Sequence, residues 1–342
     1  MRLKRYAGNP ILEPVPGSDW EGLVTCNPGA WYEPEENIVY LLYRAAGNDP
    51  AHRIHFGLAV SRDGLRFERY SSAPVFSPSD DNWDAGCVED ARIVKMGRWY
   101  YVTYAARPFP PGQYWLPAAS RPWKPTSPAA EFPWLLRENA TSTGLAMTRD
   151  FCSWIRAGRM TSPTVDDRDV ILFPEKIGGR FAMLHRPMNW VGPAYGTEHP
   201  AIWIAFSDDL LHWPESKLLA TAELAWENEK IGSNTPPLRT EAGWLILYHA
   251  VGVDRHYRLG AMLLDLDDPT RVIARSRDWL MQPEMWYELE GHYQGCVFPC
   301  GKVVIEDTLY VYYGGADKYV GVATCSMDGL LDYLLECRTP GS

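Results

Sequence analysis

A short run of apolar and aromatic residues occurs five times in this chain, each time at the same place in a larger unit. The copies are residues 38–47 (IVYLLYRAAG), 99–107 (WYYVTYAAR), 181–187 (FAMLHRP), 244–251 (WLILYHAV) and 309–317 (LYVYYGGAD). A smaller strand-like stretch follows each, at 57–61, 144–148, 202–207, 259–264 and 320–324. Another precedes each, usually with a proline, at 27–31, 88–94, 172–177, 234–239 and 297–304. Runs of this length and composition bounded by turn residues read as β-strands. Units recurring at roughly 60 to 80 residues read as propeller blades. The expectation is an all-β chain, one five-bladed β-propeller over residues 1–342 with its active site in the central funnel. The first strand of each blade lines that funnel, so the repeat selects the residues to examine.

The turn after the smaller strand repeats as well. Ser61, Thr148 and Ser207 are each followed two residues on by Asp63, Asp150 or Asp209, then by an aromatic, Phe67, Trp154 or Trp213. Cys325, Asp328 and Tyr333 give a looser copy, and the fourth unit departs from it at Asp265. Asp bonds to backbone groups ahead of it and tolerates turn dihedrals, so these aspartates read as structural. Residues 9–13 are expected to close the ring as an outer strand, and residues 329–337 to form a short C-terminal helix. Residues 107–139 stand outside the repeat as a Pro- and aromatic-rich insertion in the second blade. Such segments are functional more often than idle, and this one reads either as a lid over the funnel or as a contact in a homo-oligomer.

Composition narrows the partners. A net charge of −10 argues against nucleic acid. No apolar window is long enough for a membrane span, and the first residues carry no secretory core, so a cytoplasmic enzyme is expected. Seven cysteines, an odd number without a paired framework, fit a reducing compartment. Cys296 and Cys300 have a poor spacing for zinc, and no metal site or cofactor is expected. Fifteen Trp and nineteen Tyr suit pleated strands and also the apolar faces of sugars.

Charged residues on inner strands need a reason, because burying them costs free energy unless they are paired or used. Glu89, Asp90 and Arg92 fall in the second blade, and Glu175 and Lys176 in the third, with Asp166, Asp167, Arg168 and Asp169 just before. Glu227, Glu229 and Lys230 precede the fourth; second strands add Arg44, His185, Arg186 and His249, and the fifth unit adds Asp317. Carboxylates among aromatics suit glycoside cleavage, where one acid protonates the leaving oxygen. Arg168, Arg186 and Lys230 would suit a phosphate nucleophile, which needs cations to hold it and no base. A non-catalytic sugar-binding propeller is a third reading, and it leaves an acid on an inner strand without a purpose.

In combination, Asn27-Pro-Gly, Leu42-Tyr-Arg44, Val88-Glu-Asp-Ala-Arg92, Leu172-Phe-Pro-Glu-Lys-Ile177, His185-Arg-Pro187, Lys230-Ile-Gly232 and Tyr312-Tyr-Gly-Gly-Ala-Asp317 resemble glycoside hydrolase family 130. The resemblance covers nearly the whole chain. It implies inverting phosphorolysis of β-mannosides, with inorganic phosphate as co-substrate, or hydrolysis by a mannosidase. Carried over by position, Asp90 matches the general acid, acting through a hydroxyl of the mannosyl residue. Asn27, Arg44 and Asp317 match sugar-binding positions, with His185 and His249 expected beside them, and Arg168, Arg186 and Lys230 match the phosphate cradle. At position 169 this chain has Asp where the phosphorylases often have Asn, a carboxylate that would repel phosphate unless Arg168 or Arg186 neutralises it. The hydrolytic alternative would use Glu227 or Glu229 to activate water. Retention of Arg186 and Lys230 favours the phosphorylase, and the insertion with the stretch from Trp190 to Tyr195 resembles the branch acting on β-1,2-linked mannosides.

Overall fold

The computed structural model describes residues 1–123 and 130–338; residues 124–129 of the expected insertion lie outside that range. Five antiparallel blades follow one another around an axis. The first is Val24–Glu33, Ile38–Ala46, Ile54–Ser61 and Glu68–Arg69; the second is Cys87–Met96, Trp99–Arg107, Ser142–Thr148 and Trp154–Arg159. The third is Asp167–Leu172, Phe181–Pro187, Ile202–Ser207 and Ser216–Ala220; the fourth is Lys230–Thr240, Gly243–Val251, Tyr257–Leu264 and Val272–Arg275. The fifth is Val297–Ile305, Thr308–Gly315 and Tyr319–Ser326, completed by Lys4–Arg5 from the start of the chain. This is the expected five-bladed propeller, with inner strands of neighbouring blades packed together around the funnel.

A buried polar clasp repeats with the blades. Tyr43, Tyr104, Tyr248 and Tyr313 occupy the same place on the four second strands. Their hydroxyls donate to Glu21, Asp84, Glu227 and Glu288 at 2.8, 2.9, 2.7 and 2.8 Å. An arginine of the outer strand, Arg69, Arg156, Arg275 or Arg5, closes each clasp on the same carboxylate. The residue facing each tyrosine on the third strand is Gly57, Gly144, Gly260 or Gly321, where a Cβ would overlap the ring. The third blade substitutes His185, whose Nδ1 lies 2.8 Å from Asp167 and whose Nε2 lies 2.9 Å from Ser216, with Trp203 opposite. A buried carboxylate of this kind is tolerable because every clasp supplies both a hydroxyl and a cation, or an imidazole in their place.

The recurrent turns bond as their composition suggests. Ser61 accepts from the Gly64 N–H and Asp63 from the N–H groups of Leu65 and Arg66, and Thr148–Asp150 and Ser207–Asp209 repeat the arrangement. Asp265 does the same work in the fourth blade, toward Asp267 and Asp268. At the last blade Ser326 instead caps the helix Met327–Glu336, which buries Met327, Leu330 and Leu334.

Three boundaries differ from the sequence reading. The inner strand of the third blade is Asp167–Leu172, earlier than 172–177, because the run beyond Leu172 turns over at Gly178 and Gly179, both at positive φ. Glu175 and Lys176 therefore leave the axis; Glu175 is exposed and pairs with Arg239. The fourth inner strand begins at Lys230, not 234, which brings that lysine into the sheet. The closing strand is Lys4–Arg5, and residues 9–13 touch the last blade through one bridge, Leu12 to Val320, and through the Asn9 side chain on Val322.

Candidate active site

The inner strands share an irregularity that aims side chains into the funnel. Each shifts register against its second strand near the midpoint. At that step in the first three blades stand Asn27, Asp90 and Asp169, with φ of 46°, 57° and 56°. Left-handed backbone is costly for residues with a Cβ and least so for Asn and Asp. A bulge in that conformation turns a side chain out of the alternating pattern. Three blades thus deliver an amide and two carboxylates to one cavity. It is lined by Asn27, Arg44, Glu89, Asp90, Ala105, Arg107, Thr141, Arg168, Asp169, Arg186, Lys230, Tyr257, Tyr293, Cys296, Phe298 and Asp317.

On one side of the cavity lies an acid pair. Asp90 Oδ1 accepts from Asn27 Nδ2 at 2.8 Å and lies 3.5 Å from Arg44 Nη1. The same Arg44 nitrogen stands 3.1 Å from Glu89, whose other oxygen accepts from the Cys87 thiol at 3.0 Å. Burial, joined by the neighbouring Glu89 charge, pushes Asp90 above the usual carboxylate range despite Arg44. Burial acts on Glu89 too, but Arg44 and Arg107 outweigh it and hold Glu89 below its usual range. The two neighbouring carboxylates are thus driven in opposite directions, Asp90 up and Glu89 down, the pattern that separates an acid from a charged partner. Asp317, at φ 55°, accepts from the Tyr114 hydroxyl at 3.0 Å, so the insertion reaches across the funnel to the fifth blade. Tyr114 and Trp115 pack there on His52, and Trp115 on His292.

Opposite is the basic group. Arg186 Nη2 contacts Asp169 Oδ2 at 2.7 Å, while its Nε and Nη1 are buried without a partner among the described residues. Arg168 is bidentate on Asp166 at 2.7 and 2.8 Å. Lys230 donates to the Tyr257 hydroxyl at 2.6 Å. Burial, with Arg186 and Arg168 nearby, lowers the Lys230 pKa to about 7. Asp169 is itself neutralised. Arg92, buried behind it, gives Nη2 to Oδ1 at 3.2 Å and its other donors to the carbonyls of Asp90 and Asn234 at 2.9 Å. Burial alone would raise the Asp169 pKa, yet the Arg186 and Arg92 guanidiniums bring it down to about 2. Close packing here requires Gly232, since a Cβ would collide with the Asp169 carboxylate and the His249 ring.

The cavity therefore brings together Asn27, Arg44, Asp90, Arg168, Arg186, Lys230 and Asp317. Four other expected residues lie outside it. Glu227 is fully buried in the fourth clasp and also caps the N–H groups of Glu223 and Leu224. Glu229 is exposed. His185 serves the clasp of the third blade. His249 sits behind Asp169, bonded through Nδ1 to Asn234 at 2.6 Å and held neutral by burial. Sequence reasoning missed Tyr257, Tyr293, Phe298 and Tyr114 as lining or reaching residues. Phe298 was open to discovery, since it stands at the step of its inner strand that Glu89 and Arg168 occupy in theirs.

Chemically, the arrangement sets a carboxyl whose pKa is raised by burial across a cavity from guanidinium donors that have no partner among the described residues. Known proteins similar to this chain are named phosphorylases. The family model described as beta-1,4-mannooligosaccharide phosphorylase matches residues 3–110 and 137–336, omitting most of the insertion. A 1,2-beta-oligomannan phosphorylase of Thermoanaerobacter sp. (strain X514) is 36% identical over 96% of this chain and 98% of its own length. A beta-1,2-mannobiose phosphorylase of the same organism is 34% identical over 94% of this chain and 96% of its own. Among solved structures, the Listeria innocua beta-1,2-mannobiose phosphorylase in complex with β-1,2-mannobiose superposes with a TM-score of 0.79 at 25% identity, covering 98% of this chain and 100% of that one.

Proposed function

The chain belongs to glycoside hydrolase family 130, and on that basis we propose that it is an inverting phosphorylase of β-1,2-mannobiose and short β-1,2-oligomannosides. The relatives named above carry the linkage. The observation that carries the reaction type is the pairing, in one cavity, of Asp90, its pKa raised by burial, with the buried Nε and Nη1 of Arg186, which have no partner among the described residues, beside Lys230 and Arg168. A phosphate seated on those cations is already an anion and needs no base. One of its oxygens bonds to the anomeric carbon from the face opposite the glycosidic oxygen. The bond to that oxygen breaks, and its electron pair takes up the Asp90 proton, relayed through a hydroxyl of the mannosyl ring. The products are α-mannose 1-phosphate and a shortened sugar.

Asn27, Arg44 and Asp317 act here as sugar-binding residues, and Tyr114 supports reading the insertion as a lid. Seven free thiols suit a reducing, cytoplasmic setting. No helix among the described residues is long and apolar enough to cross a membrane. The test is incubation with β-1,2-mannobiose with and without inorganic phosphate. Mannose 1-phosphate formed only with phosphate is expected; release of free mannose at the same rate without phosphate would reject the proposal in favour of a hydrolase.

A further inference from the structure

Buried polar atoms without partners are rare in native proteins, and at a binding site they describe the ligand that completes them. On the basic side of this cavity there are two kinds. Arg186 Nε and Nη1 are donors, and Asp169 Oδ2 has no hydrogen-bond donor among the described residues despite its ion pair with Arg186. His249 does not supply one. Its Nδ1 faces the Asn234 amide oxygen at 2.6 Å, which places the ring proton there, and its Nε2, a second buried acceptor with no partner among the described residues, stands 3.7 Å from Asp169. The Asp169 side chain is 4% exposed and lines the cavity. Arg92, on its other oxygen, keeps it ionised and thus an acceptor only.

We propose that Asp169 selects the nucleophile by its proton: the cradle takes an oxyanion that accepts from Arg186 and Lys230 and also donates one O–H to Asp169 Oδ2. This rests on the phosphate reading above. At neutral pH phosphate and arsenate carry such a proton, whereas sulfate has the same shape and the charge of hydrogenphosphate but none. Bound sulfate would set an oxygen lone pair against a buried carboxylate, an unpaired like-charge contact of the kind that gives specificity by exclusion. Like-charge contacts of several kcal/mol correspond to discrimination on the order of 100-fold or more. The carboxylate that looks hostile to phosphate in the sequence becomes the group that recognises it. Proton balance is unaffected, because the O–H facing Asp169 stays on the phosphorus and the Asp90 proton goes to the leaving oxygen.

The experiment is calorimetric titration of the intact protein at neutral pH and fixed ionic strength with phosphate, arsenate and sulfate, followed by the same titrations of Asp169→Asn. Expected for the natural protein are similar affinities for phosphate and arsenate, and sulfate weaker by about 100-fold or more. In Asp169→Asn, whose amide can donate, sulfate should close to within about tenfold of phosphate. Sulfate binding the natural protein as tightly as phosphate does would overturn the role of Asp169 while leaving the phosphate reading intact. Discrimination that persists in Asp169→Asn would overturn it too. Absence of binding by phosphate and arsenate alike would instead reject the phosphate reading itself. Should the variant fail to fold, the ranking of the three anions on the natural protein decides alone.

Discussion

Glu89 and Asp90 are chain neighbours with opposite acid strengths, and the difference comes from which of them faces Arg44 and Arg107 more closely. Asp90→Asn is expected to cut phosphorolysis by about 10²- to 10⁴-fold while calorimetry still detects mannobiose binding; activity within tenfold of the natural enzyme would remove Asp90 from the acid role. Lys230 supplies a pH prediction with a definite sign. Its pKa of about 7 means that the cation is present below neutrality and lost above it. Phosphate favours the charged form, so affinity should fall by roughly tenfold per pH unit above 7, beyond the titration of phosphate itself, with proton uptake on binding. Lys230→Met should flatten that dependence and raise the KM for phosphate far more than for the sugar. Asp90 was legible from its motif because the residue type alone names its chemistry. Asp169 was not, since its meaning depends on Arg92, 77 positions away in sequence and buried behind it.

Among the elements, the clasp decides between two readings of Glu227. As a base it would be catalytic; as the partner of Tyr248 and Arg275 it holds the fourth blade together. Glu227→Ala is expected to destabilise the protein by roughly 3–5 kcal/mol, since it strands a buried arginine, while the specific activity of the folded fraction stays unchanged. Unchanged thermal stability with lost turnover would return Glu227 to the active site. The insertion makes a second prediction. Tyr114→Phe removes a hydrogen bond to a charged group and should raise the KM for mannobiose roughly tenfold, leaving that for phosphate alone. The recurrent tyrosines were visible in sequence as an aromatic pattern. Their carboxylates were not, although Glu21, Asp84 and Glu227 each stand three residues before their inner strands: a lone acid in a loop carries no pattern of its own, and Glu288, nine residues before its strand in the short helix Trp286–Leu289, breaks the spacing. The third inner strand was misplaced for a related reason: residues 172–177 read as an apolar run with a proline like the others, while the strand proper, Asp167–Leu172, opens with charges.

The whole molecule depends on one closure. Lys4–Arg5 pairs with Ala323 and Thr324, and Arg5 completes the fifth clasp on the fully buried Glu288. Removing residues 1–12 should leave Tyr319–Ser326 as an open edge, lowering the unfolding temperature and promoting self-association on sizing chromatography; a monomer of unaltered melting temperature would mean that the clasp of the last blade is dispensable. Ring and blade number were legible in sequence because repetition survives small errors in each copy. The closing segment was placed a few residues late, since a two-residue strand has no periodicity to read.

That same closure sets an order of events during synthesis. Asn9 is made long before its partner Val322, which lies 313 positions further along the chain. At translation rates of about 5–20 residues per second, the opening segment waits roughly 15 to 60 s for the strand it must join. Four blades can gather their own strands from contiguous chain in that time, and the fifth cannot. Until then the growing molecule is an open arc, and the ring closes when the last blade recruits a segment made before the first.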